Sequence, residues 1–210
     1  MPITAVILDY GNVLCLRPLP QEFEVLYKSL GVPEDSFLPC FWRYRRDYDR
    51  GRLDGSAYWQ HVAHDLGISL TDQQTAQLIQ DDVRLWQHRD PLMARWVENL
   101  RVAGVKTAVL SNMPRDVARS LRQPPSWFDN FDSLVLSSDT GFLKPEPEIY
   151  RICLDHLGVQ PQAALFVDDH AENVEAAQSL GIHALKFESP EQFAAALAPF
   201  QLPALALAAG

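Results

Sequence analysis

The fold is decided by the stretch Ile3-Thr4-Ala5-Val6-Ile7-Leu8-Asp9-Tyr10-Gly11-Asn12-Val13. Its first six residues are apolar apart from Thr4, and a continuous apolar run of this length is typical of a buried strand in a parallel sheet. The run stops at Asp9. Ligands of open parallel sheets bind beyond the carboxyl ends of the strands. The sequence therefore predicts that Asp9 stands at a binding edge.

Further polar signals follow in chain order. A second apolar run ends at Ser111-Asn112, Lys144-Pro145 comes next, and a third run ends at Asp168-Asp169. Convergence of these groups on one sheet edge would assemble a carboxylate site that needs a metal ion and a lysine.

Residues outside the first strand divide into a helical stretch and an alternating stretch. From about Pro20 to Gln87 the pattern is amphipathic and helical, and after Asp90-Pro91 predicted strands alternate with predicted helices. The later strands are predicted at Val105–Leu110, Asp132–Leu136, Ala163–Val167 and Ile182–Phe187. This order indicates an α/β fold with a doubly wound, Rossmann-like parallel sheet. We expect a core of residues 1–18 and 88–210 and an inserted α-helical cap of residues 19–87.

The helices can be predicted from their boundary residues. Within the insert they are expected at Gln21–Leu30, from Pro33 into the segment Phe41–Tyr48, from Asp54 to Gly67, and after a capping box at Thr71. In the core they are expected at Pro91–Ala103, from Pro114, and at Pro147–Leu157, Ala171–Leu180 and Glu191–Leu197.

The formal net charge of −9 and the pI of about 5.0 argue against a nucleic-acid or anionic-membrane surface. A small anionic substrate remains compatible, because one local positive site is sufficient. The strand follows Met1-Pro2 directly, so no cleaved signal peptide is expected, and no apolar run reaches about 18 residues. The apolar tail from Leu202 could be an ordered end, a docking segment or a frayed terminus.

The three cysteines, Cys15, Cys40 and Cys153, are far apart, and no CxxC occurs. We interpret them as buried thiols of a protein in a reducing compartment, which favours the cytoplasm.

Each candidate residue suits a distinct chemical task. A carboxylate such as Asp9 can act as a nucleophile, and Gly11 allows a tight turn that brings backbone groups near a ligand. The Ser111 hydroxyl and backbone N–H groups at Asn112 could bind phosphate oxygens. Lys144 could offset the charge of the nucleophile and of a transferring group.

The adjacent carboxylates Asp168 and Asp169 repel each other unless a cation lies between them. Mg²⁺ is the simplest choice, because it favours carboxylate and water oxygens. Asn173 follows one helical turn later and could steady this pair.

Taken in order, these signals resemble the four motifs of the haloacid dehalogenase superfamily. Motif I matches Asp9-Tyr10-Gly11-Asn12-Val13, motif II matches Ser111, motif III matches Lys144, and motif IV matches Asp168-Asp169. The insert after motif I is similar to the helical cap of the family's first cap type.

The resemblance implies Mg²⁺-dependent phosphoryl transfer, in which Asp9 attacks phosphorus and water hydrolyses the aspartyl-phosphate. The implied Mg²⁺ ligands are Asp9, the Gly11 carbonyl and Asp169, with Asp168 binding directly or through water. Ser111 and Lys144 would hold the phosphoryl oxygens. The implied substrate is a small phosphorylated metabolite.

The chain departs from the family pattern at Gly11, where the family usually has a second Asp that acts as general acid and base. Some family phosphatases, including a sugar-1-phosphate type, carry a similar Asp-x-Gly-Asn motif. Two hypotheses follow. The enzyme prefers good leaving groups such as anomeric sugar phosphates, or it recruits another acid, with His170 and Glu172 as candidates by position.

The cap segment Trp42-Arg43-Tyr44-Arg45-Arg46-Asp47-Tyr48 has two interpretations. It is either a solvated helix face or a source of guanidinium groups for the substrate's non-reacting end. For the second interpretation we select Arg43 and Arg46, while Arg45 stays an alternative.

Two other functions remain open. A 2-haloacid dehalogenase would use Asp9 without a metal, and Gly11 is compatible with it, but those enzymes lack the acidic pair. A non-catalytic phosphometabolite-binding relative has only Gly11 in its favour. Asp168-Asp169 therefore favours the phosphatase.

Overall fold

The computed structural model describes residues 2–207. Met1 and residues 208–210, which belong to the predicted core segment and the apolar tail, lie outside the described residues. Within residues 2–207 the strands form a five-stranded parallel sheet of order β3-β2-β1-β4-β5. The strands are β1 (Ala5–Leu8), β2 (Lys106–Ser111), β3 (Ser133–Leu136), β4 (Ala164–Asp168) and β5 (His183–Lys186). The predicted doubly wound α/β fold is confirmed.

The helices of the insert precede the second strand. They are α1 (Pro20–Ser29), α2 (Glu34–Arg43), α3 (Arg45–Asp49), α4 (Gly55–Asp65) and α5 (Asp72–Leu85). They surround an aromatic cluster of their own that contains Phe37, Phe41, Tyr58 and Trp59. The division into a core and a cap at residues 18/19 and 87/88 stays a prediction.

The helices that follow cover the two faces of the sheet. They are α6 (Pro91–Val102), α7 (Arg115–Leu121), α8 (Ser137–Thr140), α9 (Pro147–Leu157), α10 (Ala171–Ser179) and α11 (Pro190–Ala196). Val6 and Leu8 pack with α6 and α11 on one face, whereas Ala5 and Ile7 pack with α9 and α10 on the other. All four β1 side chains are buried, which explains why this strand is apolar throughout rather than alternating.

The register of β1 aligns the strand ends that carry the polar residues. Leu8 lies opposite Val109 of β2 and Val167 of β4, and the Asp9 N–H donates to the Val167 carbonyl at 2.9 Å. Asp9 and Asp168 therefore leave the sheet side by side at its carboxyl edge.

The insert differs from the prediction at Tyr44. The helix expected to continue through the segment Phe41–Tyr48 is interrupted there, where φ is −101° and ψ is 3°. The break rotates α3 relative to α2, so Arg45 is buried while Arg43 and Arg46 are exposed. The predicted capping box is present, since the Thr71 hydroxyl accepts from the Gln74 N–H at 3.2 Å.

Several smaller expectations can be compared with the described residues. All three cysteines are buried and free, as predicted. No helix between residues 2 and 207 has both the length and the apolar character needed to cross a bilayer. The tail is ordered as far as it is described, because Leu205 is buried and Pro203 accepts a hydrogen bond from the Trp96 indole at 2.8 Å.

Candidate active site

Asp9 follows β1 directly and is held by two donors on one oxygen. Its Oδ1 accepts the Tyr10 N–H at 2.6 Å and lies 2.7 Å from Lys144 Nζ. Burial raises the pKa of the Asp9 carboxyl to about 7; Lys144 opposes this shift and Asp168 adds to it. Within the described structure, Oδ2 of Asp9 accepts no hydrogen bond from the protein and is left for a ligand.

Lys144 links two carboxylates in the interior. Its Nζ lies 2.7 Å from Asp9 Oδ1 and 2.6 Å from Asp168 Oδ2, and the side chain is 1% exposed. Burial lowers the pKa of Lys144, but the two carboxylates outweigh it and raise the pKa above its usual value. The lysine is therefore a fixed positive charge beside the predicted nucleophile.

The Asn112 side chain positions this lysine. Its Oδ1 accepts the Lys144 N–H at 2.8 Å, and its Nδ2 donates to the Lys144 carbonyl at 3.0 Å. Because both ends of the Asn112 amide bond to Lys144, the side chain is not free to bind phosphate. The predicted phosphate binding at Asn112 therefore concerns its backbone N–H group.

Asp168 is completely buried and its carboxylate is fully bonded. Oδ2 accepts from Lys144, while Oδ1 accepts the His170 N–H at 2.8 Å and Asn173 Nδ2 at 3.0 Å. Burial raises the pKa of Asp168, but Lys144 and Asn173 outweigh that effect and hold it below its usual value. Asn173 contacts the acidic pair as expected.

Asp169 is the less enclosed member of the pair. Its Oδ2 accepts from Asn12 Nδ2 at 2.8 Å, and Asn12 adopts a left-handed backbone conformation with φ of 58°. One ligand oxygen each from Asp9, Asp168 and Asp169 lie within 4.8 Å of one another. The Asn12 Oδ1 beside them is buried without a hydrogen-bond partner. An all-oxygen set of this kind fits Mg²⁺.

A small cavity of about 80 Å³ is lined in part by Tyr10 and Gly11, the two residues that follow Asp9. Gly11, Ser111 and Asn112 form its sheet end. Its remaining walls include Trp42, Trp86, Met113 and Val117, together with the polar residues Arg45 and Asp49. The cavity thus joins the predicted phosphate-binding residues to the helices of the insert.

The assignment of Arg43 and Arg46 to substrate binding is not supported by their positions. Neither is among the described residues that line the cavity. Arg43 is 58% exposed and pairs with Asp65 at 2.5 Å, and Arg46 is exposed. Arg45, the alternative among the three arginines, lines the cavity, and substrate binding by Arg43 and Arg46 stays a prediction.

Sequence reasoning also missed Asp49 and Trp86, which line the cavity. Asp49 lies one turn after Arg45, but the sequence offered no signal that this face of α3 is buried. His170 and Glu172 are exposed, and His170 Nε2 lies 3.8 Å from Asp169 Oδ1.

The family model for haloacid dehalogenase-like hydrolases matches residues 3–181. The chain belongs to this family. The match includes every motif residue described above, so the chain is a haloacid dehalogenase-like hydrolase and the resemblance seen in the sequence is confirmed.

Curated relatives include phosphatases of similar length. The chain is 32% identical to phosphatase MT3486 of Mycobacterium tuberculosis over 190 residues, covering 88% of this chain and 87% of that protein. It is 27% identical to the sesquiterpene phosphatase astK of Aspergillus oryzae over 183 residues, covering 85% and 86%. A match to mouse acyl-CoA dehydrogenase family member 10 is 38% identical over 101 residues but spans only 9% of that protein.

Solved structures show the same fold. The HAD family enzyme bt-2542 from Bacteroides thetaiotaomicron superposes with a TM-score of 0.74 at 19% identity, covering 94% of this chain and 99% of that one. Its complex with magnesium and inorganic phosphate gives a TM-score of 0.66 at 21% identity, covering 88% and 93%.

Proposed function

We propose that this hydrolase cleaves small phosphate monoesters with Mg²⁺ through an aspartyl-phosphate intermediate on Asp9. The observation that carries the proposal is the buried Asp9–Lys144–Asp168 bridge with the Asp169 carboxylate beside it. The phosphatases among the relatives of similar length support the same chemistry.

The residues around Asp9 prepare it for attack on phosphorus. The Tyr10 N–H and Lys144 hold Oδ1, so the carboxylate is fixed before a substrate arrives. As Asp9 bonds to phosphorus and the ester P–O bond breaks, Lys144 and the Ser111 hydroxyl stabilise the charge on the phosphoryl oxygens.

Asp9, Asp169 and the Gly11 carbonyl are the proposed Mg²⁺ ligands. Asp168 is a weaker candidate, since both its oxygens already accept hydrogen bonds from the protein. When bound, Mg²⁺ would neutralise charge on the phosphoryl group and orient it. Asp169 suits a cation because its hydrogen-bond donor, the Asn12 side-chain amide, is neutral. The negative charge of the Asp169 carboxylate is therefore left for Mg²⁺.

The proposed substrates are small phosphorylated metabolites, with anomeric sugar phosphates as one candidate class because Gly11 removes the usual acid. The proposed location is the cytoplasm, in line with three buried, free cysteines.

A 2-haloacid dehalogenase is the competing function, because Gly11 is compatible with it. The chain is 26% identical to (S)-2-haloacid dehalogenase 1 of a Pseudomonas strain over 109 residues, about half of each protein. Asp169 argues against this alternative, since a dehalogenase needs no metal.

Phosphate release from a panel of small phosphate esters tests the proposal. We expect turnover with Mg²⁺, its loss in EDTA, and a fall of about 10⁴-fold or more in Asp9→Asn, because the nucleophile is removed. Asp139→Asn, at an exposed carboxylate paired with Arg122, is the matched control and should retain activity. Chloride release from 2-chloropropionate in EDTA, without phosphate release, would instead establish the dehalogenase.

A further inference from the structure

We propose that Asp49 of α3 is the proton donor and acceptor of this site and replaces the carboxyl group that Gly11 lacks. The inference rests on the proposed phosphatase function and adds a catalytic residue to it.

Asp49 lies in the cavity that the predicted phosphate-binding residues line. It lines the same space as Gly11 and Ser111, and among the described residues that line this space it is the one with a carboxyl group. Gly11 itself faces Trp86, since a Cβ added there would lie 3.5 Å from the indole ring. The acid therefore comes from the insert and not from the loop after β1.

The Asp49 carboxyl is held on one side and free on the other. Its Oδ1 accepts from Arg45 Nε at 3.0 Å, and Arg45 Nη1 donates to both oxygens of buried Asp82 at 2.9 and 3.0 Å. No described residue donates to Asp49 Oδ2, and the side chain remains 15% exposed. One oxygen is thus fixed while the other is left for a group in the cavity.

The backbone of Asp49 is tied to the loop that follows Ser111. The Ser137 hydroxyl donates to the Asp49 carbonyl at 2.5 Å and accepts the Met113 N–H at 2.8 Å. Next to Asp49, Arg50 pairs with Glu146 and donates to the Gly141 carbonyl at 3.0 Å. This clamp sets the carboxyl relative to the phosphate-binding residues before substrate binds, as acid–base catalysis requires.

Burial favours the protonated form of the Asp49 carboxyl, and the neighbouring charges moderate this effect. Burial raises the pKa of Asp49 to about 6; Arg45 on its own helix opposes the shift, and Asp82 of α5 adds to it. The Tyr58 ring of α4 and the Trp86 ring also face the Arg45 guanidinium. A carboxyl with a pKa near the working pH can both give and take a proton.

The chemistry balances with Asp49 alone as the proton carrier. When Asp9 bonds to phosphorus, the ester P–O bond breaks, its electron pair stays on the leaving oxygen, and that oxygen takes the Asp49 proton. The Asp49 carboxylate then takes a proton from the water whose oxygen attacks phosphorus. The bond to Asp9 breaks, phosphate leaves, and both carboxyl groups return to their starting states.

The test compares two esters in Asp49→Asn. For n-butyl phosphate, a poor leaving group, we expect kcat/KM to fall about 10²-fold or more, the usual contribution of a general acid. For 4-nitrophenyl phosphate the fall should be at least tenfold smaller, because its leaving group needs no proton. Asp49→Glu should recover part of the n-butyl activity. The wild-type kcat/KM for n-butyl phosphate should decline as pH rises above about 6, and Asp49→Asn should lack this limb.

Asp47→Asn is the matched control, because Asp47 lies on the same helix but pairs with exposed Arg52 at 3.2 Å. Equal losses for both esters in Asp49→Asn, or a change no larger than in Asp47→Asn, would overturn the assignment. Wild-type protein that releases phosphate from neither ester would contradict the proposed function itself, and the role of Asp49 would fall with it. Activity that is lost in Asp9→Asn but kept in Asp49→Asn would contradict only the role of Asp49 and would leave the proposed function in place.

Discussion

Lys144 sets the charge balance of the site. It places one buried ammonium between Asp9 and Asp168 at 2.7 and 2.6 Å. Breaking a buried ion pair from one side is costly because the remaining charge has neither water nor a partner. The lysine therefore contributes to stability as well as to the proposed stabilisation of transferring phosphate.

Lys144→Met should destabilise the fold by about 3–5 kcal/mol at pH 8. Lys144 holds the pKa of Asp168 below its usual value, so in the wild type the charged form contributes stability that is lost as pH falls. Without the ammonium, the pKa values of both buried carboxyls rise, and stability is then lost as pH increases. Urea unfolding in EDTA should therefore show a smaller difference between variant and wild type at pH 5 than at pH 8.

Lys28→Met is the control for this prediction. Lys28 pairs with Glu24 on the surface of α1 and is 68% exposed, so its removal should leave the free energy of unfolding nearly unchanged. A Lys144→Met protein with the same stability difference at pH 5 and pH 8 would show that the carboxyls do not depend on this lysine.

Single residues were predictable where the strand pattern fixes them. Asp9, Ser111 and Asp168 each end an apolar run, and parallel strands bring such ends together without further information. The Arg45–Asp49 pair could not be predicted, because the choice among neighbouring arginines depends on one backbone break at Tyr44. Neither a Pro nor a Gly marks this break in the stretch 42–46, so the local pattern does not reveal it.

At the scale of elements, the contact between α3 and α8 positions the insert over the sheet edge. Gly51 follows α3 with φ of 76°, and a Cβ there would lie 2.9 Å from the Ser138 carbonyl oxygen. Gly67 follows α4 with φ of 69°, and no atom lies within 4 Å of its added Cβ. The two glycines share a backbone conformation but differ in surroundings.

Gly51→Ala should therefore be worse than Gly67→Ala. Both substitutions incur about 1–2 kcal/mol for a left-handed alanine, while only the first forces α3 away from α8, which adds about 1–3 kcal/mol. Urea unfolding measures the difference. Gly51→Ala should also lose phosphatase activity on alkyl esters, because Asp49 moves with α3. Equal stability and activity in the two variants would show that this contact does not position the insert.

Helices and strands were largely predictable as elements. The helix starts marked by Pro or a capping box lie within a few residues of those observed, as for the capped start of α5 at Asp72. The short helix α8 was not predicted, because Ser137–Thr140 has no apolar periodicity.

At the scale of the whole molecule, the sequence predicts a parallel doubly wound sheet but not its strand order. The order β3-β2-β1-β4-β5 puts β1 at the centre, which agrees with the burial of every β1 side chain. The site forms beside β1, where the chain passes from β1 to β2 on one side and later returns from β3 to β4 on the other. The net charge of −9 excludes neither an anionic substrate nor this site, because Lys144 supplies a local positive charge.

The apolar tail closes one face of this molecule. Leu205 is 6% exposed and belongs to the core cluster that includes Trp96 and Val97, whereas Leu207 is 40% exposed. Leu205→Ala should cost about 2–4 kcal/mol in the free energy of unfolding, since a buried leucine leaves a cavity when truncated. Leu207→Ala should stay within about 0.5 kcal/mol of the wild type. Because neither leucine is among the described residues that line the cavity beside Gly11 and Ser111, kcat/KM should be unchanged in both variants; an activity loss in folded Leu205→Ala would instead connect the tail to the site.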